Sequence, residues 1–174
     1  MTKCFRLIGF VLLFLLLLLI ILGINSSSEV QISQTHHLQV PLSLIWQYIT
    51  DAEKIPAWIN QMPVNYCESD TFGLITCFEN NSNEKNVFTI SKIEEKKSLN
   101  LILNKNRNNP YIKNYVMEIN LKLLRDGTTE INCELRYSLN NYFSKIINKL
   151  YFEGYQISLL NKNMESLHTY FEKV

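Results

Sequence analysis

The sequence predicts an α+β fold in which an antiparallel sheet of about six to seven strands covers one long C-terminal helix. Apolar side chains recur at steps of three and four from Tyr142 to Glu172, which is the spacing of one helix face. The middle of the chain alternates apolar and polar side chains between turn-forming residues, which is typical of strands with one buried face. The long helix needs such a sheet to cover its apolar face.

The N-terminal segment is a candidate membrane anchor. Leu7 to Ile24 carries no charged side chain. As a helix it would extend roughly 27 Å, close to the ~30 Å of a bilayer's hydrocarbon core. Lys3 and Arg6 precede it, so the positive-inside rule keeps the N-terminus in the cytoplasm and places the following domain on the other side. The alternative is a cleaved signal peptide, which usually has a shorter apolar region and an Ala-x-Ala-like cleavage site. We expect a single-pass membrane protein with an extracytoplasmic domain.

This interpretation divides the chain into a cytoplasmic N-terminus at 1–6, a transmembrane helix at 7–24, a polar linker at 25–29 and one folded domain at 30–174. The domain is long enough to bury a substantial core. The net charge is +1, and lysine and arginine are spread along the chain, which argues against a nucleic-acid partner. The composition gives no prediction of oligomeric state.

A strand and two short helices open the domain. Val30 to Val40 alternates, and it predicts a half-buried strand that carries Gln34 and His36 on its apolar side. Pro41 suits the first position of a helix. The apolar residues of the two short helices are Leu42, Ile45, Trp46, Ile49, Ile55, Trp58 and Ile59.

Strands joined by hairpins follow these helices. The predicted strands are Val64–Glu68, Leu74–Phe78, Val87–Ile93, Leu99–Leu103, Tyr115–Leu124 and Thr129–Leu139. Asp126-Gly127, between the last two, is a strong hairpin signal because an Asp-Gly pair suits a two-residue turn. Polar segments at Asn80–Asn86 and Asn104–Pro110 are expected to connect other strands.

The first of these hairpins predicts a disulfide. If the chain turns about Phe72, Cys67 and Cys77 become opposite residues on neighbouring strands. Directly opposite side chains lie ~4.5–5.5 Å apart at Cβ, which is near disulfide range. A domain outside the cytoplasm permits the bond, whereas a register shift of one residue would remove it. Cys133 is expected to remain a buried thiol.

The opening of the domain resembles a known family. Gln39–Trp46 and Thr50–Trp58 combine a first strand, a Pro-containing helix start, a Trp in the first helix, an Asp, and a second Trp soon after. With the order of elements, this resembles the helix-grip fold of the START-like superfamily, in particular its polyketide cyclase/dehydrase-type (SRPBCC) members. The resemblance covers roughly Glu29 to Val174, and it consists of apolar spacing with a few fixed residues.

The resemblance implies a curved sheet wrapped on the last helix. It also implies a cavity between the two that encloses a hydrophobic or amphipathic small molecule, lipid-like in character. A pocket with apolar walls and a few polar groups is a common ligand site. The candidate ligand-binding residues are Trp58, Tyr66, Phe88, Tyr115, Met117, Tyr137, Leu150, Ile157 and His36. The alternative for each of them is an ordinary place in the core, or, for His36, a hydrogen-bonded position near a strand end.

The sequence carries no strong catalytic signature. His36-His37 are adjacent and point to opposite faces of a strand, and neither a CxxC nor an HExxH pattern is present, so no metal is predicted. No Gly-rich phosphate loop indicates a cofactor, and no residue is assigned a catalytic role. Binding without catalysis is therefore the first hypothesis. A cyclase- or dehydratase-type enzyme that uses cavity Tyr and His side chains, and an interaction module without ligand, are the alternatives.

Overall fold

The computed structural model describes residues 2–60, 64–78, 86–103 and 111–173. Most of the predicted polar segment Asn80–Asn86 and all of Asn104–Pro110 lie outside the described residues. The helices and strands, in chain order, are α1 (Thr2–Asn25), β1 (Glu29–Leu38), α2 (Leu42–Ile49), α3 (Ile55–Trp58), β2 (Tyr66–Ser69), β3 (Ile75–Phe78), β4 (Asn86–Glu94), β5 (Ser98–Leu103), β6 (Ile112–Leu123), β7 (Thr129–Leu139), α4 (Tyr142–Ile147), a π-helical turn (Asn148–Phe152) and α5 (Glu153–Phe171).

The strands of the described part of the chain form one antiparallel sheet in the order β1-β7-β6-β5-β4-β3-β2. Strands β2 to β7 pair with their neighbours in sequence. Strand β1 pairs with β7 and forms the edge of the sheet opposite β2. Helices α3 and α5 contact each other, and α5 also contacts β1, so the last helix lies along the concave side of the sheet. The predicted fold class is confirmed.

Alternation along β6 and β7 builds the inner face of the sheet. Every second residue of β7 from Thr129 to Leu139 is buried. In β6 the same holds from Tyr115 to Leu121, whereas Leu123, at the end of the strand, is exposed. Strand β6 begins at Ile112, earlier than predicted. Ile112 and Lys113 pair with β7 ahead of an irregularity at Asn114, whose φ is 52°, and this irregularity breaks the alternation.

The first hairpin confirms the predicted register and disulfide. Asp70 accepts hydrogen bonds at Oδ1 from the backbone N–H groups of Phe72 and Leu74, and Gly73 adopts a φ of 78°. Cys67 is therefore directly opposite Cys77, and the two sulfur atoms are bonded. Since β2 is an edge strand, the disulfide attaches this edge to the rest of the sheet.

The C-terminal helix is continuous from Tyr142 to Phe171 but contains the π-helical turn, which holds one more residue than an α-helical turn. Compared with an uninterrupted α-helix of the same sequence, the π-helical turn changes the rotation of the following segment relative to the preceding one by roughly 100°. The buried stripe of α5 consequently continues onto Asn148 and Ser144 rather than onto Phe143 and Leu150. The prediction of one uninterrupted apolar face was therefore wrong for the first third of this helix.

Helix α1 contacts the domain at its C-terminal end. The Tyr142 hydroxyl donates a hydrogen bond of 2.6 Å to the backbone oxygen of Ile20. Gly23 makes this approach possible, since a Cβ atom there would lie 2.3 Å from the Tyr142 ring. The apolar part of α1, Leu7–Asn25, has a mean hydropathy of 3.4 and is long enough to cross a membrane.

Candidate functional site

The interior between the sheet and the C-terminal helix gathers most of the predicted ligand-binding residues. Trp58, Phe88 and Met117 are almost completely buried, and so are Tyr115 and Tyr137. Strands β4, β6 and β7 supply four of these side chains, and α3 supplies Trp58. The alternation of the strands thus directs them to the concave side, where α5 covers them.

Two polar pairs connect the sheet with the helix across this interior. The Tyr115 hydroxyl donates to Gln156 Oε1 at 2.9 Å, and the Tyr137 hydroxyl donates to Asn148 Oδ1 at 2.6 Å. Burial raises the pKa of both tyrosines above the usual value, and the negative charge of Glu153 adds to the rise for Tyr137. Both hydroxyls are therefore neutral at physiological pH, and each already has an acceptor.

Trp58 carries a buried donor of another kind. Its side chain is fully buried, and among the described residues its indole Nε1 has no hydrogen-bond acceptor. An unsatisfied buried N–H group usually costs about 1–3 kcal/mol relative to a satisfied one. A ligand oxygen that accepted this hydrogen bond would recover that free energy.

Two predicted site residues, Leu150 and Tyr66, are exposed on the outside of the domain. Leu150 is 63% exposed because the π-helical turn rotates it away from the sheet, so its predicted role as a cavity wall is wrong. Tyr66 is 44% exposed and stacks on Phe78, with ring centroids 4.8 Å apart, on the outer face of the first hairpin. Ile157 is partly buried and packs against the core.

His36 lines an open cleft of about 410 Å³ beside the interior. Its Nε2 atom is buried and has no hydrogen-bond partner among the described residues. Burial lowers the pKa of His36, and the neighbouring Asn161 side chain partly offsets this, so the imidazole is neutral at physiological pH. The other residues that line the cleft are His37, Leu38, Asn161, Met164, Glu165, His168 and Thr169.

Met164 separates this cleft from the interior. It lines the cleft, and its Sδ atom lies 4.0 Å from Sγ of Cys133 on β7. Burial raises the pKa of the Cys133 thiol to about 12, so this cysteine is an inert core residue, as predicted. Met164 and Leu38 both line the cleft and belong to the buried core, which places the cleft directly outside the candidate ligand site.

The buried amides of the C-terminal helix are a feature that the sequence pattern did not predict. Asn148, Gln156 and Asn163 are all buried, and Asn163 Oδ1 accepts a hydrogen bond of 2.7 Å from the backbone N–H of Asn60. Their spacing of eight and seven residues corresponds to about two helical turns each, so they form one stripe. That periodicity is visible in the sequence, but it competes with the stronger apolar pattern. Among the described residues, no group of three or more His, Cys, Asp or Glu side chains could hold a metal ion.

Comparison of the sequence with family models and with curated proteins gives no match. Solved structures do match. A START superfamily protein from Mycobacterium smegmatis has a TM-score of 0.53 at 13% identity, over 82% of this chain and 97% of its own. A conserved protein from Geobacillus kaustophilus has a TM-score of 0.61 at 13% identity, over 83% and 96%.

The Zhui aromatase/cyclase from Streptomyces sp. R1128 is a further similar structure, with a TM-score of 0.54 at 11% identity, over 79% of this chain and 93% of its own. At such low identities the likeness establishes the architecture, and the functions of these proteins do not transfer with it. The domain that follows α1 therefore has the helix-grip fold that a START superfamily protein and an aromatase/cyclase share.

Proposed function

We propose that this chain is a membrane-anchored helix-grip domain that binds an uncharged, lipid-like amphipathic molecule between its sheet and its C-terminal helix. The observation that carries the proposal is the buried indole N–H of Trp58, which lacks an acceptor among the described residues, whereas the Tyr115 and Tyr137 hydroxyls in the same interior have theirs. A bound oxygen atom would satisfy it. The similar fold of a START superfamily protein supports a ligand of this class.

The buried side chains favour an uncharged ligand. The buried polar residues in the described part of the chain are Thr129, Ser144, Asn148, Gln156 and Asn163, all of them neutral. An ionised group brought into this interior would lose its hydration without gaining a counter-charge, at a large cost in free energy. The expected ligand is mainly hydrocarbon, with a hydroxyl, ester or carbonyl oxygen near Trp58. His36, in the adjoining cleft, is a candidate contact for a second polar group.

Helix α1 supports the proposed anchor. Its apolar segment is long enough to span a bilayer, and most of its side chains are exposed to the surroundings of the domain. We propose that α1 remains as a single-pass anchor, with residues 30–174 on the extracytoplasmic side. The Cys67–Cys77 disulfide supports that side, because such bonds persist in oxidising compartments. The anchor would keep the site close to a source of apolar molecules.

Photo-crosslinking through methionine tests the binding site without disturbing the fold. A diazirine analogue of methionine would replace all 4 methionines of the chain, including the buried Met117 and Met164. After illumination of the full-length protein, mass spectrometry should find lipid-like adducts on the peptides that contain these two residues. Adducts confined to other peptides, or cross-links only to neighbouring protein residues, would contradict the proposal.

A conservative pair of variants tests the role of Trp58. Trp58→Phe keeps an aromatic ring but removes the N–H group, whereas Trp46→Phe makes the same change on α2 as a matched control. Loss of one hydrogen bond to the ligand corresponds to an affinity reduced by about tenfold. Organic extraction should therefore recover much less ligand from Trp58→Phe than from Trp46→Phe or the parent. Equal recovery from all three would remove Trp58 from the site.

The alternative enzymatic function depends on His36, whose neutral imidazole has an unpartnered Nε2 and could accept a proton. Its position in an open cleft, separated from the interior by Met164, favours a contact over a catalytic base. The two functions differ in what happens to the ligand. A molecule released unchanged after prolonged incubation indicates binding, whereas a converted product that disappears in His36→Gln indicates catalysis. Absence of any extractable molecule would favour the ligand-free interaction module.

A further inference from the structure

One surface of the C-terminal helix is apolar, exposed and unused by the proposed ligand site. It consists of Tyr142, Phe143, Ile147, Leu150, Tyr151 and Tyr155, which we call the outer aromatic face. The π-helical turn generates this face by rotating the first third of the helix, so that neutral polar residues point to the sheet and apolar residues point outward. Phe143 is 73% exposed, which is unusual for so large an apolar side chain.

The contact with α1 fixes the position of the outer aromatic face relative to a membrane. Tyr142 donates its hydroxyl hydrogen to the backbone oxygen of Ile20, and its ring packs on Gly23. Ile20 lies four residues before Ile24, the end of the apolar run. At ~1.5 Å per residue, the Tyr142 hydroxyl is therefore about 6 Å below the end of the membrane-spanning segment. The start of the C-terminal helix must then lie at the boundary between headgroups and acyl chains.

The composition of the face suits that boundary. Phe143, Ile147 and Leu150 provide apolar surface, while Tyr151 and Tyr155 stack with their ring centroids 5.8 Å apart. Tyrosine prefers interfaces where one end of the ring is apolar and the other is hydrated. Lys149 on the adjoining surface pairs with Glu153 at 3.4 Å, so the polar border of the face carries charges of both signs.

We infer that the outer aromatic face is a second membrane contact, which lies in the headgroup region of the same bilayer that α1 spans. The inference rests on the proposed anchor, because α1 defines the level of the bilayer. It explains why apolar residues on this helix remain uncovered by the domain. It also orients the domain, because the beginning of the C-terminal helix then touches the membrane.

Fluorescence quenching by a quencher confined to the lipid bilayer tests the contact between the outer aromatic face and the membrane in the full-length protein. Single cysteines would replace Phe143, Leu150, Leu16 and Ser158 in a Cys4→Ser background, where Cys133 is buried and the other two cysteines form the disulfide. All four positions are exposed, so an attached environment-sensitive fluorophore leaves the packing unchanged. Leu16 reports on the anchor, and Ser158 is the matched control on the same helix beyond the face. Phosphatidylcholine vesicles that contain spin-labelled phosphatidylcholine supply the quencher.

The expected result is strong quenching at Leu16, and quenching at Phe143 and Leu150 about twofold above that at Ser158, because the quencher is confined to the bilayer. Quenching at Leu16 with Phe143 and Leu150 no different from Ser158 overturns the inference and leaves the anchor in place. Absence of quenching at Leu16 overturns the anchor and, with it, the inference that depends on the anchor. The two failures are therefore distinguishable.

Discussion

The Tyr115 hydroxyl on β6 and the Gln156 amide on α5 form a buried hydrogen bond of 2.9 Å across the interior of the domain. It connects the middle of the sheet with the middle of the helix that covers it. Both residues are buried, so neither can replace this hydrogen bond with one to bulk water. This pair holds the helix at a defined height and rotation above the sheet.

Removing one partner of the Tyr115–Gln156 hydrogen bond should lower the free energy of unfolding by more than half of what removing both partners does. Gln156→Leu leaves the Tyr115 hydroxyl buried without its acceptor and should lower the free energy of unfolding by about 1–3 kcal/mol. Tyr115→Phe should do the same, whereas the double variant should cost clearly less than the sum. Urea denaturation of the three variants measures the coupling, with the exposed Tyr155→Phe as control. Additive effects would show that the bond contributes little.

Reduction of the Cys67–Cys77 disulfide should weaken the edge of the sheet. The bond closes a loop with a sequence separation of 10 residues, for which chain entropy gives about 2–3 kcal/mol of stabilisation. We expect Cys67→Ser to lower the urea midpoint and to speed proteolysis of β2. Mass spectrometry of the protein alkylated after denaturation without reduction should show alkylation at Cys4 and Cys133 only. Free thiols at Cys67 and Cys77 in intact cells would contradict both the bond and the extracytoplasmic location.

Gly154→Ala should stabilise the protein. Gly154 is exposed in α5, and no described atom lies within 4 Å of the position that its Cβ would take. A glycine in a helix costs roughly 0.5–1 kcal/mol relative to alanine, and no close approach of the sheet compensates for it here. Gly127→Ala is the contrasting variant, since its φ of 85° disfavours alanine and the change should destabilise. Thermal denaturation of both variants should show opposite signs.

Acidification should destabilise the domain through His36. Burial lowers its pKa below the usual 6.5, so the unfolded chain binds the proton more tightly than the folded one. This contribution to stability is complete above pH about 6.5 and is lost as the pH falls through the lowered value. His36→Gln should reduce the loss of stability between about pH 7.5 and about pH 5. His37, Glu165 and His168, which also line the cleft, stay in both proteins, so identical pH profiles would refute the assignment.

The elements that the sequence predicted well are those whose pattern is local. The register of the first hairpin follows from a turn at Phe72, and it correctly paired Cys67 with Cys77. The alternation along β7 identified its inward residues, because each strand residue changes face with a period of two. The candidate residues on these elements therefore lie where they were expected, apart from Tyr66 on the short edge strand.

The C-terminal helix shows where such reasoning fails. Leu150 fits the apolar periodicity of an uninterrupted helix, yet it is exposed because one additional residue in the π-helical turn changes the phase. A π-helical turn is stabilised by contacts with the rest of the fold, here including the hydrogen bond from Tyr137 to Asn148. That hydrogen bond is made by Tyr137 on β7, which lies outside the helix, so the sequence of the helix alone does not predict the π-helical turn.

The π-helical turn also has a consequence for length changes in this helix. Deleting one residue between Asn148 and Phe152 would allow an ordinary α-helix, which is locally the more favourable backbone. Because the π-helical turn holds one residue more than an α-helical turn, the segments before and after the deletion would keep nearly their present rotation relative to each other. Phe143 and Ile147 would stay exposed, and Ser144 and Asn148 would still face the sheet. Loss of a single codon here would therefore leave the inside and the outside of the helix unchanged, whereas the same loss elsewhere in the helix would rotate one part against the other.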